Sequence, residues 1–269
     1  MKKYFSDKTF CAGIILFSLI LVFLISGQIF IRYAYDAVDT AHKLEGFSKE
    51  HIFGTDYLGR DIFSRIIKGL KISLFISLCA VIPGAVAGTV LGAAAGYFEG
   101  ITDSIITKLT DTQMAFPGIL IALMLIAVFG NSIGVTILAL SLMGIPRFIR
   151  ISRSGFLKYK NSLFVLSAKA KGAGNLRIIF IHILPNIIPE LVVTMALNFA
   201  LCILSESGLS YLGLGVQPPL PSFGRMLSEG QRFIIQQPSN VIIPAVILIL
   251  LVLSMNLIGD GITSVNRNK

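Results

Sequence analysis

The chain has 269 residues, 54% hydrophobic and only 14% charged, and its mean hydropathy of +0.81 excludes an ordinary soluble domain. A net charge of +9 would suit nucleic acid, but the Lys and Arg residues sit in gaps between apolar runs, where they orient a membrane protein instead. Cys11, Cys79 and Cys202 lie inside apolar runs with no CxxC pair, so they read as small buried hydrophobes, not as disulfides or metal ligands.

Six apolar stretches have membrane length, at 10–33, 72–95, 105–129, 132–149, 186–205 and 239–259, which predicts an all-α, polytopic helical bundle. Lys2, Lys3 and Lys8 hold the N-terminal segment, 1–9, on the cytoplasmic side. The first span is too long for a signal-peptide core and no small-x-small site follows it, so it is expected to be retained. An extracytoplasmic loop, 34–71, then carries six Lys/Arg balanced by six acids. The core of five further spans covers 72–259, and the tail, 260–269, returns to the cytoplasm with Arg267 and Lys269.

In the second span Gly84, Gly88, Gly92 and Gly96 recur every four residues and share one helix face, a seam on which another helix backbone can approach closely. Pro83, Pro117, Pro146 and Pro244 lie in or at the ends of spans, where kinks are tolerated. Asp111 lies about two turns into the third span. A carboxylate at that depth faces protein, water or a cation, with Lys108 three residues earlier as the local partner, so it is either half of a structural ion pair or a pathway or gating group. Asn198, in the middle of the fifth span, either bonds across helices or lines a polar path. Glu190 in the first turn of that span complements the helix dipole. The outer segment 206–240 is stiffened by Gln217-Pro218-Pro219 and Pro221.

Between Arg147 and His182 stand eight Lys/Arg and no acid, which keeps this stretch in the cytoplasm. Within it, SLFVLSAKAK and NLRIIFIHILP flank the Gly172-Ala173-Gly174 turn and each reads as a helix too short to cross a bilayer. Such a pair is either a docking surface or a basic loop that fixes topology. Leu176, Ile179, Phe180 and Ile183 recur at helical spacing, a stripe suited to a partner's groove or to packing against the chain's own helix ends.

No GxxxxGK[ST], HExxH or GxSxG occurs, and His42, His51 and His182 are scattered through loops. The chain therefore has no nucleotide loop, catalytic constellation or metal site of its own, and no cofactor is expected. A secondary transporter or channel working without ATPases, and a membrane scaffold protein, are the competing classes. The lack of an internal repeat disfavours a repeat-built secondary transporter.

The run FVLSAKAKGAGNLRIIFIHILPN, 164–186, resembles the cytoplasmic loop of ABC importer permeases, in which Glu-Ala-Ala precedes a Gly and Ile-x-Leu-Pro closes the motif. Gly172 matches the glycine, Ala168 the second alanine, and Ile183-Leu184-Pro185 the close. HIFGTDYLGRDIFSRIIKGLKISL (51–74), LSYLGLGVQPPLPSFGRML (209–227) and NLIGDGI (256–262) resemble the peptide and nickel branch of that family. Leu166 and Ser167 depart from the pattern where its Glu and first Ala stand, and this apolar position with the Gly172-Ala173-Gly174 turn looks more like nickel-type members. The resemblance implies a type I ABC importer permease fold in the inner membrane. It also implies a second homologous permease, expected to be different from this chain. Two cytoplasmic ATP-binding subunits and an extracytoplasmic substrate-binding protein complete the expected partners, with no nucleic acid. The substrate implied is nickel, as a chelate, or di- and oligopeptides. By the same resemblance the loop 150–185 couples to the ATPases through Ala168, Ala170, Lys171, Gly172, Leu176, Arg177, Phe180, Ile183, Leu184 and Pro185, and the two outer segments form the mouth that receives substrate.

Overall fold

A computed structural model describes residues 7–267 and is helical throughout its spans. Lys2, Lys3 and Lys269 lie outside the described residues. Helix α1 (Lys8–Phe30) starts where the Asp7 carboxylate accepts from the Phe10 N–H at 2.9 Å. It packs on the last helix, α10 (Ser239–Arg267), and the Ser264 hydroxyl donates to Asp7 at 2.9 Å, fastening the two helices at that end.

Helix α2 (Ile62–Phe98) begins ten residues before the expected span at 72, because Asp61 caps it by accepting from the Ser64 N–H at 2.8 Å. Its first turns therefore fall within the expected loop 34–71. The four-residue glycine repeat of α2 lies against α5 (Ile133–Lys160). A Cβ at Gly84, Gly88, Gly92 or Gly96 would stand 3.0, 2.5, 2.5 or 2.6 Å from the nearest atom of α5, so only glycine admits this approach.

The third span is not one helix. Helices α3 (Gly100–Ala115) and α4 (Gly118–Phe129) meet at 87° across Phe116-Pro117. Pro117 drives Phe116 into extended backbone (φ −91°, ψ 138°), which ends α3. By length and composition five helices can cross a membrane, or six if the bent pair forms one span.

Helix α5 continues to Lys160, past the expected end at 149. The short α6 (Leu163–Ala170) follows and closes on Gly172, whose φ of +82° lets its N–H donate to the Lys169 carbonyl at 2.9 Å. The expected second short helix is instead the start of a long one. The single turn α7 (Asn175–Arg177) runs through a π-helical stretch (Ile178–Ile183) into α8 (Leu184–Tyr211), giving one rod of 37 residues. A short α9 (Phe223–Gly230) leads to α10.

Beside a small cluster of Ala122, Ile126, Ala139 and Leu209 that joins α4, α5 and α8, two larger hydrophobic cores hold the bundle. One joins α2, α5 and α8 with Val165 of α6 and Ile178, Ile179 and Ile183 of the π segment. The other joins α1, α2, α9 and α10 around Ile66, Ile67, Phe223 and Leu251. The segment before α2, expected to lie outside, is held by its own turns. Gly59 (φ +78°) sits so close to Asp39 that any Cβ would overlap its carbonyl oxygen.

Candidate functional site

On the side expected to face the cytoplasm, α6 presents Leu163 (86% exposed), Phe164 and Leu166, while Val165 and Ala168 are buried and hold the helix to the bundle. Ala170, Lys171, Gly172 and Arg177 are exposed and form a basic rim beside it. The Tyr97 hydroxyl, at the end of α2, is 2.8 Å from Asn175 Oδ1, and Lys169 lies over the Tyr97 ring. These contacts connect the turn to the bundle.

The expected stripe of Leu176, Ile179, Phe180 and Ile183 does not form a docking face. Ile179 and Ile183 are buried in the core. Leu176 and Phe180, with Leu184, line an apolar groove of about 540 Å³ between α2 and α8. The reason is continuity: these residues begin the long rod of α8, and α5 and α6 pack against the half of the stripe that is buried. Pro185 stands at the start of α8, directly after the π-helical stretch.

Asp111 pairs with Arg150 of α5, whose Nη2 donates to Oδ1 at 2.9 Å, and not with Lys108 as expected. A second pair, Arg153 with Asp103 (Nη2 to Oδ2, 2.7 Å), lies alongside, so α3 is fastened to α5 twice. Both partners of the Asp111 pair are more than half exposed, so its own contribution to stability is small.

Asn198 of α8 is buried (3% exposed) against Gly144 of α5. Arg147 Nη1 donates to Asn198 Oδ1 at 3.4 Å. Together with Cys202, Ser205, Leu201 and Met143 they bound a pocket of about 60 Å³ on the α5–α8 face.

On the side expected to face outward the structure brings together groups that no local pattern pairs. Arg60, Arg65 and Arg225 converge on Glu229, with donor distances of 2.8, 3.2 and 2.8 Å, and Asp56 accepts from Arg60 Nε at 2.6 Å. Arg65 is 2% exposed and Glu229 16%, so the cluster lies largely inside the fold. His51 is hydrogen-bonded to Asp61 at 2.9 Å, also buried. Glu206, fully buried in α8, accepts from Ser73 of α2 at 2.9 Å and from Ser210 at 2.7 Å. A cavity of about 280 Å³ opens beside this cluster, bounded by Tyr57, Tyr211, Glu229, Arg232 and Phe233. Asp56, Arg60, Arg65 and Arg225 fall in the segments 51–74 and 209–227 that carry the family resemblance, but nothing local joins them to Glu229; Glu206 ends an apolar run one residue past the expected span end at 205.

Residues 88–267 match the family described as binding-protein-dependent transport system inner membrane component. The chain is 37% identical over 261 residues to the dipeptide transport system permease protein DppC of Alkalihalophilus pseudofirmus, covering 97% of this chain and 86% of that one. It is 41% identical over 218 residues to the glutathione transport system permease protein GsiD of Pectobacterium atrosepticum, covering 81% and 72%. The Escherichia coli GsiD is 41% identical over 250 residues, covering 91% and 82%. Among solved structures, the MetNI methionine ABC transporter in an inward-facing conformation has a chain with the same fold (TM-score 0.60, 16% identity), covering 74% of this chain and 95% of that one.

Proposed function

The chain belongs to the family of binding-protein-dependent transport system inner membrane components, and we propose that it is one of two different permeases in an importer for short peptides. As the membrane-spanning permease subunit of an ABC importer it is not itself an enzyme. It works with ATP-binding subunits and a substrate-binding protein. The observation that carries the substrate reading is the identity of 37–41% to relatives named for dipeptide and glutathione transport. That likeness runs over most of the chain, whereas the nickel-type reading rested on the few residues around Leu166.

In this reading the chain spans the membrane six times, with the bent α3–α4 pair as one span and both termini in the cytoplasm. The basic stretch from Arg147 to His182 supports that orientation. Helix α6 is the element that seats in the ATPase, because it offers exposed Leu163 and Leu166 beside a basic rim of Lys169, Lys171 and Arg177. ATPase closure moves α6, and the buried contacts of Val165 and Ala168 pass that motion to the α2–α5–α8 core. The outer segments, locked together by Glu229, form a rigid rim for the binding protein. Substrate passes along the faces of α5 and α8 that meet the second permease.

Uptake of labelled dipeptide, labelled glutathione and nickel, in cells carrying and lacking this chain, tests the reading. Loss of peptide uptake alone in the deleted cells is the expected result. Loss of nickel uptake alone would overturn it.

A further inference from the structure

Helix α5 carries three arginines in its inner half, and the fold neutralises two of them: Arg150 meets Asp111 and Arg153 meets Asp103. Among the described residues no carboxylate meets the third, Arg147. It stands fourteen residues beyond Ile133, about 21 Å along the helix, in the last turn of the expected span 132–149 and at the head of the basic stretch. A cation so near the membrane face either reaches out to the headgroups or meets an anion. The Arg147 side chain is exposed on the α5–α8 face, and its Nη1 donates to Asn198 Oδ1 at 3.4 Å. Asn198 is itself buried and fixed against Gly144, so it orients the guanidinium and leaves the other N–H donors open to the pocket.

We propose that Arg147, oriented by Asn198, is an anion subsite in the translocation pathway that takes the carboxylate of the transported peptide. The inference rests on the peptide-importer reading. A guanidinium binds a carboxylate through two parallel hydrogen bonds, which gives both strength and direction. The pocket of about 60 Å³ exceeds the ~10–15 Å³ that one water occupies and is far smaller than a peptide, so it fits an end group. The Ser205 hydroxyl at its edge adds a polar group beside the bound carboxylate. Every dipeptide and glutathione carries such a carboxylate, and a side-chain-independent contact suits a transporter that accepts varied sequences.

The test uses the assembled transporter, with both permeases, ATPases and binding protein, in liposomes of neutral phosphatidylcholine, which removes anionic lipid headgroups as a competing source of charge. ATP-driven uptake of a free-acid dipeptide is compared for the native chain, Arg147→Met and Arg147→Lys. Arg147 lies on the surface of the chain, so Arg147→Met leaves the core intact. Uptake falls by about 10-fold or more in Arg147→Met, the size of one lost charge-assisted contact. Arg147→Lys, which keeps the charge but not the paired donors, recovers only part of it, and both variants assemble. Native uptake rates in Arg147→Met would overturn the subsite. So would failure of Arg147→Met to assemble, which would assign the arginine to an acid on the second permease, or a lysine variant as inactive as the methionine one. If the native complex itself carries no peptide, it is the peptide reading that fails and not the subsite alone.

Discussion

Gly92 of α2 lies directly against the backbone carbonyl of Ile149 of α5, and a Cβ at that glycine would stand 2.5 Å from the oxygen. A backbone oxygen cannot move aside as a flexible side chain would. Gly92→Val therefore forces the two helices apart and is expected to cost about 1–3 kcal/mol or more. The check is detergent-resistant folding of the purified chain. Gly134→Ala, in the first turn of α5 with its nearest neighbour at 3.9 Å, is the control and leaves stability unchanged or slightly raised.

Glu206 holds two hydroxyls from different places, Ser73 of α2 and Ser210 of its own helix. Glu206→Leu leaves the buried Ser73 hydroxyl without a partner, at a cost of about 1–3 kcal/mol, while Glu206→Gln keeps an acceptor in place and is milder. Adding Ser73→Ala to Glu206→Leu recovers part of the loss. A double-mutant cycle of unfolding in detergent measures that coupling.

Glu229 is the shared acceptor of Arg60, Arg65 and Arg225. Glu229→Gln removes the charge that three guanidinium groups share, leaves Asp56 alone to face Arg60 and Arg65, and is expected to destabilise this end of the fold by about 3–5 kcal/mol. Limited proteolysis between residues 31 and 61 should accelerate accordingly, since that segment is held by Asp56 and Arg60. Arg65→Met added to the variant slows cleavage again, because one uncompensated charge is then gone.

Leu163 is 86% exposed on α6, whereas Val165, two residues on, is fully buried. Leu163→Asp is expected to leave the folded permease intact and weaken ATPase binding by about 30-fold, the loss of one interface anchor of about 2 kcal/mol. Val165→Asp instead reduces folded protein. Co-purification of the ATP-binding subunits, set beside the yield of monodisperse permease, separates the two effects.

Most of the bundle could be read in the sequence because its signals are local: membrane-length apolar runs, and glycines four apart that must share a helix face. Pro117 marked a permitted kink, but nothing local says that it turns the chain through 87°. The stripe at Leu176, Ile179, Phe180 and Ile183 had the right spacing for docking. Spacing cannot tell which half of a stripe a neighbouring helix covers, and Ile179 and Ile183 fall on the half packed into the core beside α5 and α6. Asp111 was matched to Lys108 by helical adjacency, yet Arg150 on another helix reaches it. The Arg65–Glu229 contact spans 164 residues, and no local pattern predicts such a pairing.

ATP-driven uptake by the complete transporter in sealed liposomes tests the central claim most directly, with Leu163→Asp measured beside the native chain. Labelled dipeptide is expected to accumulate only when ATP reaches the ATPase side and the binding protein is present, and Leu163→Asp to lower this accumulation sharply while the permease remains folded. Accumulation at an unchanged rate without ATP, driven by an imposed ion gradient and indifferent to Leu163→Asp, would contradict it.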